Sequence, residues 1–198
     1  AKGPLALRLA ANRRELADGD VRDVLLELRR VAEAMYAAAA AARGDEGLRP
    51  GVRVTVDVCL EENFGGLTDA GVTTLARGLG AMRAIVQPRI LRLHANALTD
   101  AAATVLAELL CDTTWPVEEL HLSHNRLGAV GVVTLIRGAL SPGPFGPKYP
   151  RTPHAGRREG GAQGVARVPL WLRLEFNLVD TREVLAALAP DEASRLCA

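Results

Sequence analysis

The 198-residue chain predicts an α/β fold: a right-handed solenoid of about five units bent into a horseshoe arc, with parallel strands on its concave face and helices on its convex face. Three observations predict it. Five segments share the string Leu-x-Leu-x-x-Asn or a close variant. Each is followed by a stretch in which apolar residues recur at three- and four-residue steps. The composition is 48% hydrophobic but only 4% aromatic, so the core must be built from aliphatic side chains.

The strings are LALRLAAN ending at Asn12, VDVCLEEN at Asn63, ILRLHAN at Asn96, ELHLSHN at Asn125 and LWLRLEFN at Asn177. In each, alternate residues point inward from a short strand, and the Asn stands where the strand turns toward its helix. An inward amide there donates to and accepts from backbone groups that no strand ladder satisfies. Asn12, Asn63, Asn96, Asn125 and Asn177 are therefore expected to stack in file. The sequels LADGDVRDVLLEL, LTDAGVTTLARGL, LTDAAATVLAEL, LGAVGVVTLIRGAL and LVDTREVLAAL read as amphipathic helices, with Leu67, Val72, Leu75 and Leu79 on one face of the second. Pro4, Pro88, Pro116 and Pro169 precede the strands and mark the opposite corner.

Successive Asn markers are 51, 33, 29 and 52 residues apart, so two units carry insertions. The first is filled by an extended helix, roughly Val21 to Arg43, through an alanine tract of high helix propensity. The last is a Gly/Pro-rich loop at about 141–168 with no apolar periodicity. Residues 1–198 thus read as a single domain with one insertion loop.

With these residues in hand, the chain resembles the leucine-rich-repeat proteins, and LTDAGVTTLARGL and VEELHLSHNRLGAVGVVTLIRGAL look like their ribonuclease-inhibitor-like subtype. The resemblance covers most of the chain. It implies a recognition scaffold that binds other proteins across the concave sheet and the adjoining loops.

Charge and cysteine usage narrow the classes. Twenty-four Lys and Arg against 23 Asp and Glu leave +1, which excludes a polyanion-coating protein and, with the high apolar content, a disordered chain. Cys59, Cys111 and Cys197 are odd in number and form no C-x-x-C pair, so neither a disulfide framework nor a zinc ribbon is expected, and an intracellular, reducing compartment is. No run is long and apolar enough for a membrane span. The opening AKGPLALRLAANRR reads as neither a signal peptide nor a natural start, and the ends of the solenoid are expected to be covered by partners, by further sequence or by other chains.

Strand alternation places Arg8, Cys59, Arg92, His121 and Arg173 in one outward column and Glu61, His94, Ser123 and Glu175 in the next. Glu119 and Trp171 fall before the first leucines; His124 and Phe176 directly precede Asn markers. In a chain so poor in rings, Trp171 and Phe176 on one strand with Arg173 and Glu175 between them form an interface anchor. Arg8, Arg92, His94, Glu119, His121, His124, Trp171, Arg173, Glu175 and Phe176 are accordingly the candidate partner contacts. The alternative for Trp171 is packing beneath the preceding loop. His94, His121 and His124 with nearby glutamates are conceivable metal ligands, but polar outward positions need no metal, and none is expected.

P-loop, H-E-x-x-H, G-x-S-x-G and dinucleotide-binding signatures are missing, so the chain reads as non-catalytic, without cofactor or small-molecule substrate. From Ser141 to Val168, Lys148, Arg151, Arg157, Arg158 and Arg167 face Glu159 alone. This loop reads either as a solvated linker or as a tether for RNA or an acidic partner, with Lys148, Arg151, Arg157 and Arg158 as contacts and Phe145 and Tyr149 available to stack. Two other functions therefore stay open: a structural subunit of a large assembly or ribonucleoprotein, and a regulator of a small GTPase.

Overall fold

The computed structural model describes residues 5–13, 16–41, 54–113, 116–144, 149, 169–194 and 196. Strands β1 (Leu5–Ala10), β2 (Val54–Cys59), β3 (Val86–Arg92), β4 (Glu119–His121) and β5 (Trp171–Arg173) form one sheet in chain order, every neighbouring pair parallel. Parallel neighbours need a crossover between them, and helices supply it. These are α1 (Val21–Ala41), α2 (Asp69–Ala81), α3 (Asp100–Asp112) and α4 (Ala129–Leu140); α5 (Thr181–Ala187) and α6 (Pro190–Ala193) follow the last strand. No helix among the described residues is long and apolar enough to cross a membrane.

Between sheet and helices lies one aliphatic core. Leu60, Leu67, Leu75, Leu91, Leu93, Leu98, Leu106, Leu120 and Leu122 are almost entirely enclosed, each reaching its place from a strand, a turn or a helix face at the spacing the sequence repeats. Helix packing tightens at Gly138 of α4, where an added Cβ would meet the Cα, Cβ and carbonyl oxygen of Ala107, each at 2.7 Å. Those are atoms of α3 that cannot swing aside. Overpacking costs about 1–3 kcal/mol, and the better helix propensity of alanine returns about 1 kcal/mol. Gly138→Ala should therefore destabilise by up to about 2 kcal/mol in urea titration, whereas Gly80→Ala, with nothing within 4 Å, should not.

Four asparagines stand in file at the strand ends. Asn96 Oδ1 accepts from Asn63 N (3.1 Å), and Asn125 Oδ1 accepts from Asn96 N (3.1 Å) and Leu98 N (3.2 Å). Their amides donate to carbonyls of their own and the preceding unit: Asn96 to Leu60 (3.0 Å) and Leu93 (2.9 Å), Asn125 to Leu93 (3.0 Å) and Leu122 (2.9 Å), Asn177 to Leu122 and Leu174 (both 2.9 Å).

Asn12 does not belong to this file. The residue before each ladder asparagine is left-handed: Glu62 (φ 61°), Ala95 (54°), His124 (57°) and Phe176 (59°). In the first unit that conformation falls on Arg13 (φ 54°), whose N–H donates to Glu61 O just as Glu62 N–H donates to His94 O. The first unit is thus offset by two residues from its asparagine marker, and Asn12 instead donates its amide to Glu61 Oε1 at 2.7 Å. The register agrees, pairing Ala10 with Cys59 and Arg8 with Asp57.

A second file runs along the helix starts. Asp18 accepts from Thr68 N (2.8 Å) and Oγ1 (2.5 Å), Asp69 accepts from Thr99 N (2.8 Å) and Oγ1 (2.6 Å), and Asp100 accepts from Gly128 N (2.7 Å). Thr68 and Thr99 meanwhile cap α2 and α3. Gly71 and Gly131 leave space for the aspartates, since a Cβ on either would lie 2.3 Å from the Oδ1 of Asp18 or Asp100.

Pro88 lies inside β3 rather than at a corner. It pairs with Val56, the next pairing is Asp57 with Ile90, and Arg89 is the extra residue of a bulge. A proline in a central strand needs such an irregularity because it brings no N–H to the ladder. Packing loosens toward the last unit, where Leu172 and Leu174 are only partly buried and an apolar cavity of about 690 Å³ opens between α4, β5 and α5.

Candidate functional site

Four rows cross the sheet on the face opposite the helices. Register places Arg8, Asp57, Ile90, Glu119 and Trp171 in the first, and Ala10, Cys59, Arg92, His121 and Arg173 in the second. Continuing each strand by two residues gives Asn12, Glu61, His94, Ser123 and Glu175 as the third, and the left-handed residues Arg13, Glu62, Ala95, His124 and Phe176 as the fourth. Arg8 therefore stands one row away from the Cys59 column in which alternation from Asn12 places it. The cause is the same two-residue offset.

The interior of this face is closed by its own side chains. Arg92 grips Glu119 with its Nε and Nη2, at 3.0 and 3.2 Å, and its bond holds that carboxyl below the usual range. Glu119 and His121 are each 8% exposed and Cys59 only 1%, so these outward-pointing residues are buried beneath neighbours. Arg89 reaches from the β3 bulge to Asp57 at 3.0 and 2.6 Å, a pairing that simple alternation misses and that Pro88 signals. Arg13 pairs with Glu62 along the rim.

His94 and His121 stack with ring centroids 4.1 Å apart. Burial pushes His121 down to about 4, helped by His94 and Arg173 and opposed by Glu119 and Glu175. His94 is lowered as well, chiefly by burial, against the pull of Glu61 and Glu62. Both rings are neutral at pH 7, which is what a close imidazole stack requires. Among the described residues, no group of three or more His, Cys, Asp or Glu side chains is placed to hold a metal ion.

All four rows end at β5, and there the face opens to solvent. Trp171 is 62% exposed and Phe176 75%. The Arg173 guanidinium lies 5.6 Å from the Trp171 ring centroid, and His124 stacks on Phe176 at 4.3 Å. Ser123 donates to Glu175, which lowers that carboxyl, and Arg173 approaches Glu175 at 3.5 Å. The patch thus offers two aromatic surfaces held in place by a cation, an imidazole and a carboxylate.

Lys148, Arg151, Arg157 and Arg158 lie outside the described residues. Tyr149 does not offer a ring for stacking: it is buried, its hydroxyl donates to Val117 O at 3.1 Å and accepts from Val117 N at 3.2 Å, and burial pushes its phenol up. Cys59 is a buried free thiol, and the Cys111 thiol donates to Ser141 Oγ at 3.4 Å. No protein-family model and no curated protein matches this chain.

Proposed function

We propose that the chain is a leucine-rich-repeat solenoid, similar to the ribonuclease-inhibitor-like kind, that serves as a non-catalytic intracellular scaffold and docks a protein partner on its sheet face. The parallel order of five strands and the asparagine file support the architecture. The observation that carries the function is the group at β5, with Trp171, His124 and Phe176 exposed and Arg173 half-buried beside them. Rings are scarce in this chain, and two of them stand in solvent on a regular frame. Trp and Arg dominate binding energy where proteins meet, and these two are already oriented, so little side-chain freedom is lost on docking.

Affinity-tagged wild type and Trp171→Ala, compared by quantitative mass spectrometry of co-purifying proteins, test this reading. The wild type should retain a stoichiometric protein companion that the variant binds about 30-fold more weakly, a loss of about 2 kcal/mol. The thermal melt should be unchanged, because the side chain it removes is largely in solvent. A companion indifferent to the substitution, or a large fall in melting temperature, would count against the surface.

A further inference from the structure

Two buried polar atoms beside the imidazole stack have no hydrogen-bond partner, His94 Nδ1 and Glu61 Oε2. They belong to successive members of one row, and neighbouring strands in a sheet are about 4.8 Å apart. Around His94 the charged and titratable groups are Glu61, Glu62 and Cys59 from the β2 side, Arg92 on β3, Glu119, His121 and His124 from β4 and its turn, and Arg173 and Glu175 from β5. Most of the carboxylates are taken: Glu62 by Arg13, Glu119 by Arg92, Glu175 by Ser123 and Arg173. Glu61 is met by the Asn12 amide on its other oxygen, and none of the ion pairs among the described residues of this face includes it.

We propose that His94 changes partner on acidification: neutral, it stacks on His121; protonated, it turns its Nδ1–H to Glu61 Oε2, and the stack between β3 and β4 opens. The proton supplies the one donor that the glutamate oxygen lacks, and a charge-assisted bond is about twice as strong as a neutral one. Staying on the stack would instead hold an imidazolium near Arg92 and Arg173. Because His121 resists protonation down to about 4, His94 takes the first proton. The exchange rearranges the face next to Arg173 and Trp171, so docking there becomes pH-dependent. That last consequence rests on the function proposed above; the exchange itself does not.

Imidazole nitrogen spectra and ring-to-ring nuclear Overhauser effects on the full ¹⁵N-labelled chain, from pH 8 to 5, test the exchange without any partner. His94 should titrate before His121, and its ring contact with His121 should vanish in step with that titration. In Glu61→Gln the His94 titration should move to lower pH, and the ring contact should survive at pH values where the wild type has lost it. A ring contact that persists in the wild type after His94 is protonated, or an unaltered His94 titration in Glu61→Gln, overturns the proposal. Exchange as described, with companion binding flat across the same range, would instead remove only the link to docking.

Discussion

Asn125→Ala should lower the unfolding free energy by about 4 kcal/mol, most of the stability margin of a marginal domain. Asn125 is 6% exposed and makes four short bonds: it accepts from Asn96 N and Leu98 N and donates to Leu93 O and Leu122 O. Alanine leaves two buried N–H groups without an acceptor, each costing about 1–3 kcal/mol, and deprives two carbonyls of a donor. The methyl group restores none of these. Urea titration followed by circular dichroism reads the effect as a fall in midpoint with an unchanged slope. Asn12→Ala is the internal comparison, expected to cost under about 1 kcal/mol because its amide meets only the Glu61 carboxylate. Equal losses at the two positions would refute the assignment of Asn125, and not Asn12, to the file.

Acidification should destabilise the fold in a window set by the buried imidazoles. The His121 ring titrates near 6.5 when the chain is unfolded and at about 4 when folded. Above pH 6.5 neither state binds the proton, and stability is complete. Between 6.5 and 4 the unfolded chain takes up a proton that the native ring refuses, so stability falls as pH falls; below 4 both states are protonated and the loss stops. Over pH 7 to 5 this amounts to about 2 kcal/mol, with His94 adding in the same direction. The lowered carboxyls of Glu119 and Glu175 enter only below their unfolded values, so a measurement stopped at pH 5 isolates the histidines. His121→Gln should flatten the slope of unfolding free energy against pH in that interval. A wild-type stability constant from pH 7 to 5 would exclude the stack as its source.

The repeating unit was legible in the sequence because two periodicities alternate there, two residues for the strands and three to four for the helices. The register of the first unit was not. Side chains on a strand repeat every second residue, so sliding LALRLAAN by two positions keeps every leucine inward and every polar residue outward. Only the left-handed turn at Arg13 decides between the alternatives, and an arginine carries no mark of that conformation as glycine would. The contact columns were legible as outward-facing, but facing outward is not the same as being accessible. Neighbours fold over the face, Arg92 onto Glu119 and His94 onto His121, whereas Trp171 on the last strand and Phe176 just after it have no following strand among the described residues to cover them. The aspartate file escaped notice because Asp18, Asp69 and Asp100 each serve the unit after their own, a relation no single segment displays.

The two files run in opposite senses. Each asparagine reaches back to the backbone of the unit before it, and each aspartate reaches forward to the helix start of the unit after it. The first four units are thereby latched twice, each holding a group its neighbour cannot satisfy alone, while the fifth is held to the fourth by the asparagine bonds of Asn177. Fraying from one end strands polar backbone on the unit left behind. Melting should accordingly resemble the breaking of one object more than the shedding of independent beads.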